Sequence, residues 1–223
     1  EGDAGDDWLD GEVGNDTLQG GGGDDTLLGG DGDDQLFAHG GRVLIDAGAG
    51  DDFISALVGD DATLVGGAGD DTIRGGGLVD GGTGDDLLIT QQENATLQGG
   101  EGDDTLIGFG DLDGGAGDDV LTGLSNSILT GGAGADLFRG ETRSGETVGI
   151  APTITDFVAG TDHIEVLATY QTGDPLPVMT LEPDLTANTV TILIDGEPMM
   201  VVQGTTTLAP GDITLTTELR DPE

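Results

Sequence analysis

The chain has 223 residues, with 45 acidic side chains against five arginines and a formal net charge of -40. Nucleic acid and anionic membrane surfaces are excluded as partners, because both repel such a chain. The absence of cysteine removes disulfides, thiolate zinc sites and thiol catalysis.

So acidic a composition ordinarily marks a disordered, solvating chain. Here the hydrophobic fraction is 35%, and the 45 glycines recur at fixed intervals. The carboxylates are therefore placed, and their charge calls for cations. No stretch of 18 apolar residues is present, so no membrane insertion is expected. No basic segment followed by an apolar run opens the chain, so a Sec-type signal peptide is not expected.

From the first residues the pattern G-G-x-G-x-D-x-U-x, with U a large apolar residue, recurs. Copies start at Gly2, Gly11, Gly20 and Gly29, nine residues apart. They continue at Ala47, Gly66, Gly81, Gly99, Gly114 and Gly131, spaced 15 to 19 residues. A nonapeptide is one turn and one short strand, so two of them close a coil. From residue 29 onward only alternate turns keep the pattern. The turns from Gly11, Gly29, Ala47, Gly66, Gly81, Gly99, Gly114 and Gly131 should then stack along a single edge. The other edge should carry the pair from Gly2 and Gly20, followed by degenerate turns such as AHGGRVLID, ALVGDDATLV and TQQENATLQ. Those keep apolar residues at strand spacing, at Leu44, Leu64, Leu97 and Ile128. A solvated linker has no need of an apolar residue at every ninth position.

Glycines at positions one, two and four permit the positive φ of a tight turn. The aspartate at position six closes the turn and offers a carboxylate. Ca²⁺ takes six to eight oxygen ligands, more than one turn supplies. Two turns stacked at about 4.8 Å can supply them, which places each ion between neighbouring turns. The apolar residues predicted to point inward are Leu9, Leu18, Leu27, Leu36, Ile54, Ile73, Leu87, Leu106, Leu121 and Phe138. Eight stacked turns leave roughly seven gaps on the long edge, with about one on the short edge. Eight divalent ions would offset roughly 16 of the 40 negative charges, and without them the facing aspartates should keep the chain largely unfolded.

These nonapeptides resemble the RTX (hemolysin-type) calcium-binding repeats. The resemblance implies an all-β fold, a parallel β-roll holding Ca²⁺ between its turns. It implies ligation by the position-six aspartates Asp7, Asp16, Asp25, Asp34, Asp52, Asp71, Asp86, Asp104, Asp119 and Asp136. It also implies ligation by turn carbonyls at positions two and four, here Gly30, Gly32, Gly48, Gly50, Gly67, Gly69, Gly82, Gly84, Gly100, Gly102, Gly115, Gly117, Gly132 and Gly134. Secretion through a type I system, with folding triggered by extracellular calcium, follows from the same resemblance.

After Arg139 glycine thins, and Thr, Val, Ile and Pro take over. The chain therefore divides into a β-roll over 1–139 and a β-rich cap over 140–223. ETRSGETVG reads as a connecting loop, and Asp195-Gly196 as a hairpin turn between alternating runs. A solenoid end needs covering against edge association, which is the role expected of this segment. Ile154 to Val166 (ITDFVAGTDHIEV) and the later VVQGTTTLAPGDITL resemble the C-terminal region of serralysin-type secreted proteases, which implies an uncleaved export signal at the extreme C-terminus. The family's short apolar end is replaced here by ELRDPE. Asp156 and Asp162 are candidates for a further ion but need none as turn-flanking loop residues.

There is no HExxH and no GxSxG, and the repeat already accounts for the paired carboxylates, so no catalytic residues are expected. His39 falls in a degenerate turn and His163 in a cap strand. Trp8 is expected to be partly buried at the open end of the solenoid, and of Met199 and Met200, on opposite faces of a strand, at least one should join the core. The residues fit three functions. The first is a calcium-dependent folding and export module, the chain's start within a repeat hinting at removed upstream sequence. The second is a self-associating extracellular structural or adhesive protein. The third is a polysaccharide-binding module like those of secreted alginate epimerases.

Overall fold

The computed structural model describes residues 1–56, 61–143, 150–171 and 175–220. Every regular element among them is a β-strand. Strands alternate between two sheets, so each nonapeptide sends the chain from one sheet to the other. Twelve strands form one sheet, beginning with Trp8–Asp10, Asp25–Asp31 and Val43–Ala49. Ten form the other, beginning with Thr17–Gln19, Gln35–Ala38 and Phe53–Ala56. Neighbouring strands in the repeat region are all parallel, one coil apart. This is the parallel β-roll that the repeat predicted.

Alternation within each short strand decides what fills the space between the sheets. One inward column runs Leu9, Leu27, Ile45, Leu64, Val79, Leu97, Leu112, Leu129 and Ile154 in paired register. The facing column runs Leu18, Leu36, Ile54, Ile73, Leu88, Leu106, Leu121, Phe138 and Ile164. All are buried except Leu9, which lies partly covered in the first strand.

Three sequence expectations are corrected here. In the copy from Gly81 the inward residue is Leu88 rather than Leu87, because Leu88 stands eighth and pairs with Ile73 and Leu106. Leu44 and Ile128 face solvent at 44% and 45% exposure, and their neighbours Ile45 and Leu129 turn inward. One-residue offsets of this kind reverse a strand side chain's face. Leu64 and Leu97 lie in the core as expected. Trp8 is 68% exposed rather than partly buried, since it sits on the outward face of an edge strand.

Both sheets run on into the C-terminal segment. Leu137–Arg143 pairs in parallel with His163–Gln171, and that strand with Ile213–Arg220. The ETRSGETVG stretch begins as strand through Arg143; residues 144–149 lie outside the described residues, as do 221–223 at the end of ELRDPE. In the larger sheet Thr153–Ile154 pairs with Glu197–Gln203, followed by the antiparallel strands Thr189–Ile194 and Met179–Asp184. Asp195 and Gly196 carry φ of 54° and 87° between two of these strands, the two left-handed residues of a type I′ hairpin. The pairing register shifts opposite Ile192/Leu193, and a bulge there lets both Met199 and Met200 enter the core.

Candidate metal centre

All eight long-edge turns precede strands of the ten-stranded sheet, so they stack on one edge. Their unequal spacing in sequence comes from shortened turns on the opposite edge, which leave the stack in register. Along it the position-six aspartates form a continuous relay. The amide of Asp16 donates to Asp34 Oδ1 at 2.7 Å, Asp34 to Asp52 at 2.6 Å, Asp52 to Asp71 at 2.8 Å and Asp71 to Asp86 at 2.7 Å. The relay continues from Asp86 to Asp104 and Asp104 to Asp119, each at 2.8 Å, and from Asp119 to Asp136 at 3.1 Å. On the short edge Asp7 donates to Asp25 in the same way, at 3.1 Å.

The second carboxylate oxygen is left over. Oδ2 of Asp7, Asp25, Asp34, Asp52, Asp71, Asp86, Asp104 and Asp119 is buried without a hydrogen-bond partner. Buried polar atoms rarely stay unpaired, and a carboxylate oxygen least of all. All of these except Asp52, whose turn carries Ala47, point into a space that a side chain on the position-one glycine would fill. A Cβ on Gly66 would strike Asp71 Oδ2 and the Gly81 carbonyl oxygen; Gly81, Gly99 and Gly114 repeat this with Asp86 and Gly99, Asp104 and Gly114, Asp119 and Gly131. An anionic oxygen of one turn and the position-one carbonyl of the next therefore converge beside an absent side chain. The residue pattern missed that carbonyl, because convergence across coils appears only once the register is known. Ala47 departs from the pattern by carrying a methyl group at position one.

The glycines at positions two and four hold positive φ with their α-carbons against the preceding coil. In the first long-edge gap the position-two carbonyl, of Glu12, accepts the amide of Asp31 at 2.8 Å and so takes part in the backbone ladder. Among the described residues no three acidic or histidine side chains gather at one point. A cation here would be held by aspartates of successive turns with carbonyl oxygens completing the shell, a donor set of hard oxygens that suits Ca²⁺.

Electrostatics point the same way. Burial raises the carboxyls of Asp71, Asp86, Asp104 and Asp119 to about 7, and that of Asp52 to about 6; neighbouring aspartates add to the rise and the amide of the preceding aspartate opposes it. Asp136 is raised too, by burial and then by Asp162 and Asp156, again against an amide hydrogen bond. Position five forms a second relay, exposed and reversed in direction: Asp51 donates to Asp33, Asp70 to Asp51 and Asp85 to Asp70.

On the degenerate edge the register aligns Asp25 with Val43, Ala62, Gly77, Ala95, Gly110 and Ser127. Beyond Asp25, the described residues of that edge offer no buried carboxylate. Arg42 ends its short acidic run by pairing with Asp24 at 3.2 Å. At the other end Asp162 takes the next long-edge rung, accepting the Asp136 amide on Oδ1 and the Val158 amide on Oδ2, while Asp156 accepts the amides of Gly131 and Gly132. Both carboxylates accept hydrogen bonds from the chain's own amides on both of their oxygens. His39 is exposed, and His163 bonds to Gly211 O and Thr214 Oγ1.

The profile of the RTX calcium-binding nonapeptide repeat (4 copies) matches residues 1–36, 28–62, 59–77, 80–108, 92–121 and 113–142. The chain belongs to the RTX calcium-binding repeat family. RTX repeats bind Ca²⁺, and an RTX β-roll is a structural calcium-binding module. No curated protein matches the chain. Among solved structures, the extracellular lipase LipA from Serratia marcescens is similar at 16% identity and a TM-score of 0.29. That match covers 88% of this RTX chain and spans 40% of the lipase.

Proposed function

We propose that this RTX chain folds on binding Ca²⁺ after secretion and serves as the stabilising, export-competent C-terminal module of an extracellular protein. The observation that carries the reading is the row of buried, unpartnered Oδ2 atoms on consecutive coils. When bound, calcium supplies positive charge and an affinity for oxygen in the gaps. The chain's own residues set up the rest: the Oδ1 relay fixes each carboxylate, position-one glycine leaves room, and paired leucines hold the coils in register. The ligands proposed are the position-six aspartates from Asp7 to Asp136, with turn carbonyls of positions two and four and of position one. Roughly seven ions would occupy the long edge and about one the short edge.

Metal-coupled folding suits export, because low intracellular calcium would keep the chain unfolded and high extracellular calcium would fold it. Passage through a type I system and an extracellular location rest on membership of the RTX family. Circular dichroism in excess chelator and then in millimolar calcium, with light scattering recorded alongside, tests the reading. Coil in chelator, β-structure in calcium and unchanged scattering are expected. Full β-structure in chelator would overturn it, and calcium-driven growth in scattering would favour a self-associating matrix protein.

A further inference from the structure

Position two of the nonapeptide sorts the turns into two classes. In every repeat turn with a coil in front of it, from Gly21 and Gly30 to Gly132, the residue is glycine with φ between 92° and 121°. A Cβ at any of them would run into the backbone carbonyl at position two of the preceding coil: Gly21 against Asp3, Gly30 against Glu12, Gly82 against Gly67. Backbone atoms in a paired strand cannot step aside as a side chain would. In the first coil this position is not glycine on either edge. Asp3 and Glu12 stand there, with φ of 72° and 67°.

We propose that Asp3 and Glu12 are stop residues that end the stack, so that whatever precedes residue 1 in the full polypeptide, no further coil of this geometry packs onto the first. Their Cβ atoms project where the position-two carbonyl of an added coil would lie. Position four serves as the internal control. Gly5 and Gly14 remain glycine with φ of 121° and 123° although no atom lies within 4 Å of a Cβ placed there, so the turn itself demands glycine at four. At position two the demand comes from stacking, and it lapses on both edges of the same coil.

A copy of residues 19–36, placed directly before Glu1, keeps the nonapeptide phase and brings its own glycines at position two. Amide hydrogen exchange in saturating calcium then reads whether the added coil stacks. Its amides should exchange as an unstructured tail in the wild-type background. With Asp3→Gly and Glu12→Gly they should slow by roughly a hundredfold or more, as in the native coils. Equal protection in both backgrounds, or in neither, overturns the proposal. Protection of the native coils in the same samples separates this outcome from a failure of calcium to fold the roll.

Discussion

Asp104 offers the sharpest test of the metal ladder. Its Oδ1 accepts the Asp86 amide and its own amide donates to Asp119, both at 2.8 Å, while its Oδ2 faces the gap unpaired. Asp104→Asn keeps an oxygen for the Asp86 amide and removes the anionic ligand. At calcium one hundredfold above the site's dissociation constant, losing one site costs about 2.7 kcal/mol. Asp104→Ala also orphans the buried Asp86 amide, which adds about 1–3 kcal/mol. The alanine variant should therefore lose roughly 4–6 kcal/mol in calcium, the asparagine variant about half of that, and Asp61→Ala, at an exposed turn residue on the degenerate edge, less than about 0.5 kcal/mol. Urea unfolding followed by circular dichroism in saturating calcium measures all three. An asparagine variant as stable as wild type, or an Asp61 variant as damaged as the Asp104 pair, would refute the one-edge ladder.

Other outcomes follow from the same geometry. The carboxyls of Asp71, Asp86, Asp104 and Asp119 stand at about 7 in the metal-free fold, against an ordinary 3.8. The folded form therefore favours the protonated acid, and metal-free stability is present below the ordinary value and lost as pH rises through about 7. In chelator, β-structure measured by circular dichroism should grow on acidification from pH 7.5 to 4; in calcium, the titration midpoint should rise over the same interval, because protons compete for the ligands. No change in either would count against buried carboxylates at the gaps. Ala47→Gly removes the one methyl group at position one of the long edge, and isothermal titration should show tighter or more cooperative binding, whereas Gly99→Ala, beside Asp104 Oδ2, should weaken it. Leu106→Ala, at a fully buried core position, should cost about 2–5 kcal/mol in a calcium-saturated melt.

Much of this molecule was legible as a string of letters. A nonapeptide with glycine at fixed places and an apolar residue eighth can bury that residue only by stacking on its neighbours, so the roll, its long and short acidic edges and the position-six aspartates follow from local chemistry. What depends on coils meeting was not legible. Leu87 and Leu88 are both leucine, and only the pairing with Ile73 and Leu106 shows which one faces inward. Leu44 yields to Ile45 for the same reason, since a strand's inward face is set by its partner's register. The relay of Oδ1 to amide, the stranded Oδ2 atoms and the position-one carbonyl beside them arise between residues 15 to 19 apart. Sequence decided which groups each turn can offer; the stacking of turns decided which oxygen each carboxylate spends on the backbone and which it leaves unpaired, because only neighbours across the gap can supply a donor.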